Sequence, residues 1–381
     1  MKTPFAVLLI WLPGLLHAAD LAIPANLHAD GFPPIPAAIA EESAPFDEYR
    51  TAALLDWHPS GREMIIGTRF GNTVQIHRVL MPGGARTQLT FFPDRIVDAQ
   101  YSPVSGDTFV FTKDTGGGEF YQLYRYDVKT GKSTLLTDGK SRNDSVLWSP
   151  RGTGIAFRST RRNGRDTDIW FMDPMKPDSA RILMQNTESG WYPQAWSPDE
   201  KTLLVEQYIS AEESTIFSVN TTTGARTALT QRTAQTKYDS TQFSADGKGI
   251  YLLTTENSDF ERLAYMDLGS KKITVLSSGI NWDVEECDLS KDGRYLAYIV
   301  NEDARGVLHV MDTSTRKDVA LPAMPSGTIA SVKWHANGND LGFNVASSRT
   351  PSDVYSLDVR AGRVERWTYS ETGASSGSTD T

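Results

Sequence analysis

Seven short segments of this 381-residue chain share one signature, an aromatic or apolar anchor followed by a small turn. They read Trp57-His58-Pro59-Ser60-Gly61, Tyr101-Ser102-Pro103, Trp148-Ser149-Pro150-Arg151-Gly152, Trp196-Ser197-Pro198-Asp199, Phe243-Ser244-Ala245-Asp246-Gly247, Leu289-Ser290-Lys291-Asp292-Gly293 and Trp334-His335-Ala336-Asn337-Gly338. Successive anchors lie 44, 47, 48, 47, 46 and 45 residues apart. A period of this size means one supersecondary unit copied along the chain, each copy needing its neighbours to bury its apolar face.

Within each unit the same events follow in the same order. A β-rich run comes after the turn, such as Met64-Ile65-Ile66-Gly67 or Tyr295-Leu296-Ala297-Tyr298. After a polar loop a third run ends in Asp, as at Asp127, Asp173, Asp267, Asp312 and Asp358. A fourth run then closes in Leu-Thr or similar, as in Leu135-Leu136-Thr137 and Leu229-Thr230. Short β-branched and aromatic runs bounded by Gly, Pro, Asn and Asp are strands, and Asp-Gly or Asn-Gly between them supplies hairpin turns. Four antiparallel strands per unit at this spacing predict an all-β chain, a seven-bladed β-propeller of four-stranded antiparallel blades. No sustained 3.6-residue apolar period occurs, so few helices are expected.

The recurrent anchor then has a packing role. At the end of each innermost strand, Trp57, Trp148, Trp196 and Trp334 are expected to wedge between neighbouring blades, where a large ring buries the most apolar area. The strand-terminal Asp residues are expected to fix turns through their side chains. One carboxylate per blade does not make a calcium site, which needs several converging oxygens.

The flanks read differently. Residues 1–19 have the form of a cleavable signal peptide: Lys2, an apolar run from Phe5 to Leu16, and the small-residue site His17-Ala18-Ala19. The run is too short for a membrane span, which takes roughly 20 apolar residues. The expected location is periplasmic or secreted, with no membrane association after cleavage. Residues 20–48 form a Pro/Ala-rich lead-in with one short helical turn near Ala37 to Glu42, residues 49–372 the propeller, and 373–381 a flexible tail. Cys287 is the only cysteine, which leaves no intrachain disulfide, favours a bacterial periplasm, and reads as a small core residue. A formal net charge of -9 argues against a nucleic-acid partner.

No catalytic, cofactor-binding or metal-binding residue is expected. Gly373-Ala374-Ser375-Ser376-Gly377 matches the nucleophile elbow, but that motif works on a strand-to-helix turn with an acid and a His placed after it, and only four residues follow Gly377. The six histidines, His17, His28, His58, His77, His309 and His335, form no metal-ligand pair, and His58 and His335 share one repeat position that reads as a turn. Gly116-Gly117-Gly118 reads as a flexible loop with no helix after it to cradle phosphate. A lyase or glycosidase would need a carboxylate pair or His cluster in the central funnel, and none stands out.

The Trp-Ser-Pro-Asp/Gly blade pattern resembles the WD40-like repeats shared by TolB-type propellers and the prolyl oligopeptidase (S9) serine peptidases. Three stretches favour the peptidases: Thr68 to Thr73 leading to His77-Arg78-Val79, Met81-Pro82-Gly83-Gly84-Ala85-Arg86, and Glu119-Phe120-Tyr121-Gln122-Leu123-Tyr124. The segment Arg366 to Gly373 looks like the one that joins propeller to hydrolase domain in that family. The resemblance implies a propeller that caps an α/β-hydrolase domain and filters peptides. It also implies a Ser-Asp-His triad in a domain after Gly373, and no such domain follows. Expected, therefore, is a gene fragment or a propeller that works with a separate hydrolase partner. The first reading is a non-catalytic, peptide-gating propeller domain, with Arg69 and Glu119 facing bound peptide from the loops between second and third strands. The alternative is a stand-alone periplasmic, TolB-like protein-interaction propeller, although the lead-in is short for the extra domain of TolB proteins and seven blades exceed their six.

Overall fold

In a computed structural model, which describes residues 19–188 and 190–372, the repeat builds seven four-stranded antiparallel sheets. Each sheet is made from one contiguous stretch, with strands paired in chain order from first to fourth. The chain therefore forms a seven-bladed β-propeller, and among the described residues no strand is exchanged between the first and last blades. The first strands are Ala53–Trp57, Ile96–Ser102, Asn143–Trp148, Trp191–Trp196, Tyr238–Phe243, Val284–Leu289 and Thr328–Trp334, and these line a central channel.

The hydrophobic core is divided among the junctions. Seven apolar clusters occur among the described residues, each drawn from two adjacent blades. Ile65 and Ile76 of blade 1, for example, pack against Tyr101, Phe109 and Phe111 of blade 2. Apolar burial is thus what holds one sheet on the next, because a blade has no second layer of its own to cover its face.

The anchor tryptophans sit at these junctions as expected, and they add a hydrogen bond. Indole Nε1 of Trp148 donates to Gln100 O (3.3 Å), Trp196 to Leu147 O (3.3 Å), Trp334 to Asp288 O (2.9 Å) and Trp57 to Lys333 O (2.9 Å). In each case the acceptor is the residue just before the anchor of the preceding blade. The rule holds at all four tryptophan anchors, including the junction where blade 7 meets blade 1.

The turn after each anchor explains the repeated Ser and Asp. The hydroxyl of Ser197 donates to Asp199 Oδ1 (2.7 Å) and accepts from Thr202 N (2.9 Å). Ser244 with Asp246 and Ser290 with Asp292 repeat the arrangement. The fifth turn position needs a left-handed backbone, supplied by Gly247 (φ 68°) and Gly293 (φ 72°), and Glu200 adopts it without a glycine (φ 61°). The strand-terminal aspartates also close their turns: Asp127 accepts from Thr130 N, Asp267 from Ser270 N and Asp312 from Ser314 N. Hydrogen bonds from Thr130, Ser270 and Ser314 hold these three carboxyls below the usual range.

Two compact units divide the chain, Arg50–Glu371 being the propeller. In the other unit, Leu21 N donates to Ile35 O (2.8 Å) and Ala37 N to Ala19 O (2.7 Å), ahead of an α-helix over Ala37–Asp47. The expectation of a single turn ending near Glu42 is corrected here. The Ala- and Glu-rich residues 37–42 favour helix by propensity, and the helix runs on for 11 residues in all. No helix among the described residues is long and apolar enough to cross a membrane. The signal segment up to Ala18 and the Ser375 elbow lie outside the described residues.

Candidate functional site: an acid-lined central channel

All seven first strands lose register against their neighbours, at Leu54/Asp56, Ile96/Asp98, Pro193/Ala195, Asp239/Gln242, Val284/Glu286, Ala330/Lys333, and opposite Ala156/Arg158 in blade 3. A β-bulge re-aims side chains and tightens local twist. Three of these bulges hold a serine in the left-handed region: Ser145 (φ 55°), Ser240 (φ 48°) and Ser331 (φ 59°). Neighbouring acids compensate the strain. Asp144 accepts from the Ser145 hydroxyl (3.0 Å), Asp239 from the Ser240 amide and hydroxyl, and Glu286 of blade 6 from Ser331 N of blade 7 (2.9 Å).

The bulges bring polar residues to the wall of a cavity of about 630 Å³ at the channel end where the Trp-Ser-Pro turns lie. Pro59, Pro103, Pro150 and Pro198 rim it, with Asp56, Gln100, Gln194, Gln242, Asp288 and Lys333 deeper in the wall. Several of these bind the next blade through the backbone. Asp56 accepts from Tyr101 N, Gln242 from Leu289 N and Asp288 from Trp334 N, each at 2.8 Å.

Charge gathers on this wall at Asp56, Asp288 and Lys333, and at the blade junctions around it. Lys333 Nζ donates to Leu55 O (2.8 Å) and lies 3.7 Å from Asp56. Burial works against its charge, but Asp56, Asp98 and Asp288 outweigh burial and hold the ammonium above its ordinary value. Burial pushes the Asp56 and Glu286 carboxyls up, and that of Asp288 to about 7. Between blades 4 and 5, Lys237 lies 3.0 Å from Asp239 and 3.1 Å from Glu261. There burial, reinforced by Asp239, pushes Glu206 up to about 8. Asp144 is matched by Arg142 (3.5 Å) and Arg158 (3.4 Å).

No carboxylate pair stands out in the sequence, and the structure places two separate acids, Asp56 and Asp288, in the channel lining, both acting on Lys333. The acids are scattered one or two per blade, so only the ring brings them together. The legible signal was the column just before each anchor, where Asp56, Gln100, Gln242, Asp288 and Lys333 interrupt apolar strand ends. No group of His, Cys, Asp and Glu among the described residues could hold a metal ion.

Arg69 and Glu119 lie in the second-to-third-strand loops of blades 1 and 2, at the ring end opposite the Trp-Ser-Pro turns. Arg69 is half-buried. Glu119 has φ 58°, its amide donates to Asp114 Oδ2 (2.9 Å), and its exposed carboxylate reaches Arg142 at 4.0 Å. In the loop before it, Gly116 N donates to Asp94 Oδ1 (2.9 Å), and Lys113 is buried, 3.6 Å from Asp94. His58 and His335 are turn residues as read, their Nδ1 atoms accepting from Gly61 N and Asn337 N. Cys287 is buried, and burial pushes its thiol up.

A second cluster escaped the sequence. His309 stacks on Tyr298 with ring centroids 4.9 Å apart, its Nδ1 3.1 Å from Asp318 and its Nε2 3.2 Å from Glu302. A neutral imidazole has one N–H, so a carboxylate at each nitrogen selects the imidazolium. Burial opposes that charge, and the bonds to Asp318 and Glu302 outweigh it and raise the His309 value.

Comparison with known proteins agrees with this architecture. The uncharacterized peptidase YuxL of Bacillus subtilis (strain 168) is 24% identical over 215 residues, covering 54% of this chain and 29% of that protein. A prolyl endopeptidase structure superimposes with TM-score 0.72 at 15% identity, over 88% of this chain and 52% of that one. Prolyl oligopeptidase B from Galerina marginata, in its apo form, gives 0.68 at 12% identity, over 88% and 53%. The chain thus spans about half the length of these structural neighbours and less than a third of the curated relative. A family profile described as the TolB beta propeller domain matches residues 122–336, more than half of the sequence. The chain belongs to the TolB beta propeller domain family.

Proposed function

We propose that this chain is the non-catalytic propeller of an exported serine peptidase of the prolyl oligopeptidase type. In this reading it admits and binds peptides, and bond cleavage belongs to a hydrolase domain supplied from outside the described ring. The observation that carries the reading is the ring's likeness, over 88% of the chain, to about half of two prolyl peptidases. The peptidase relative supports it at the level of sequence. In this reading the channel cavity of about 630 Å³ takes an extended peptide and not a folded protein. Arg69 and Glu119 are assigned to contact peptide at the ring end away from the Trp-Ser-Pro turns. Export rests on the signal-like segment 1–19.

The experiment is peptide binding and activity in the presence of a hydrolase domain of this type, with wild type and the Arg69→Ala/Glu119→Ala double variant. Weaker peptide binding or slower turnover by the folded double variant supports the assignment, and unchanged values remove it. The match to the TolB beta propeller domain favours a second reading, a stand-alone periplasmic interaction propeller. Capture of a protein partner by the ring, with no effect on any hydrolase domain, would favour that reading.

A further inference from the structure

In blades 1, 2, 3 and 7 the third strand starts on a buried polar side chain that its own surroundings satisfy. Gln75 donates to Phe92 O and Asp94 O, and Gln122 to Phe120 O and Ser141 O. The carboxylates at this position have cations, Asp168 with Arg162 at 2.7 Å and Asp353 with Arg366 at 2.6 Å. Blade 5 places Arg262 there, 8% exposed, and gives it no counter-charge. Its Nε donates to Ser258 Oγ (3.0 Å), its Nη1 to Ser277 O (3.2 Å), and its guanidinium lies over the Phe260 ring at 5.0 Å. Among the described residues no carboxylate stands within ion-pair distance of Arg262, and no group accepts from its Nη2. Unlike the orphaned Nε atoms of Arg78 and Arg158, that Nη2 is not sealed from solvent, so an incoming acceptor can reach it.

Arg262 lines a cavity of about 290 Å³, together with Glu256, Asn257 and Ser258 of the preceding loop and Ile273 and Val275 of the fourth strand. Glu256 also lacks a counter-ion among the described residues, its carboxylate accepting from the Tyr238 hydroxyl at 2.7 Å. A largely buried cation without an anion is costly, and its planar fork matches a carboxylate. Small-molecule pockets begin at about 300 Å³, so the occupant is small.

We propose that this cavity in blade 5 is a binding site for a small zwitterion, a free α-amino acid with an apolar side chain. Its carboxylate meets Arg262, its ammonium meets Glu256, and its side chain lies against Ile273 and Val275. A simple anion fits less well, because Glu256 would repel it. The site shares no lining residue with the channel cavity and does not depend on the peptide-admitting reading.

Calorimetric titration of the full chain with leucine, leucinamide and N-acetylleucine tests this. Leucine is expected to saturate a single site, and each blocked form should bind about ten- to a hundredfold more weakly, the worth of one charged hydrogen-bonded pair. Arg262→Gln should lower leucine affinity by the same factor and leave the weak binding of leucinamide unchanged. Val275→Trp, at an exposed position of the edge strand, is expected to fill the cavity and abolish leucine binding while the chain stays folded. Should Arg262→Gln fail to fold, the wild-type ligand series and Val275→Trp decide without it. No saturable leucine binding, a blocked form that matches leucine, or binding that survives Val275→Trp overturns the inference.

Discussion

The indole of Trp57 donates its N–H to the carbonyl of Lys333 across the junction between the first and last blades, at 2.9 Å. In the same place Lys333 returns a bond from Nζ to Leu55 O at 2.8 Å. Because the chain does not run across this junction, closure of the ring depends on such reciprocal contacts. Asn344 adds to them by accepting from Leu54 N and donating to Ala52 O, and Arg62 reaches Glu365 (2.5 Å) and Asp340 (3.3 Å).

Trp57→Phe removes the closing hydrogen bond and leaves Lys333 O without its donor, at a cost of about 1–2 kcal/mol. Trp57→Ala also opens a void against Trp367, whose ring stands edge-on at 5.3 Å, and should cost about 3–5 kcal/mol. Urea denaturation measures both. Trp196→Phe, at a junction the chain does cross, should cost no more than Trp57→Phe.

Lys333→Met leaves Asp56, Asp98 and Asp288 facing one another without their ammonium. The lysine side chain keeps about a third of its surface open to the channel. Solvent therefore discounts the loss to about 1–3 kcal/mol rather than the full cost of breaking a sealed pair. The deficit should grow as pH rises and the acids ionise, which denaturation at two pH values detects.

Glu206 and Asp288 have carboxyls raised to about 8 and about 7. The folded chain thus holds protons that the unfolded chain releases, and stability falls as pH rises from the ordinary carboxylate range through those values. The fall is on the order of 1–3 kcal/mol between pH 5 and 8, and Glu206→Gln and Asp288→Asn should each flatten it. Denaturant midpoints across that range test the sign.

His309 behaves as a separate latch on the two-residue edge strand Lys317–Asp318 of blade 6. Its raised value means that the charged ring stabilises fully below the ordinary histidine range, and this contribution is lost as pH rises through the folded value. Histidine proton shifts should titrate above the free value, and Asp318→Asn should bring the titration down. Amide exchange at Lys317 and Asp318 should quicken in that variant.

The repeat made the architecture legible because each blade writes its own anchor, turn and strand-end Asp. Trp57, Ser197 and Asp127 perform the roles their positions announced. The channel was not legible for the opposite reason. Asp56, Asp98 and Asp288 lie in different blades and meet only when the ring closes. The left-handed Ser145, Ser240 and Ser331 gave no glycine to mark their bulges. Asn220 caps a turn where other blades use Asp, accepting from Thr222 N and Thr223 N. The partner of Gly116 N is Asp94, a residue of another loop, 22 positions away.

The most direct test of a peptide-admitting ring compares one labelled, unstructured peptide with the same sequence fixed inside a folded carrier too wide for the channel. The account predicts saturable binding of the free peptide by the full chain and no binding of the carried one. Equal binding of both, or of neither, would contradict it.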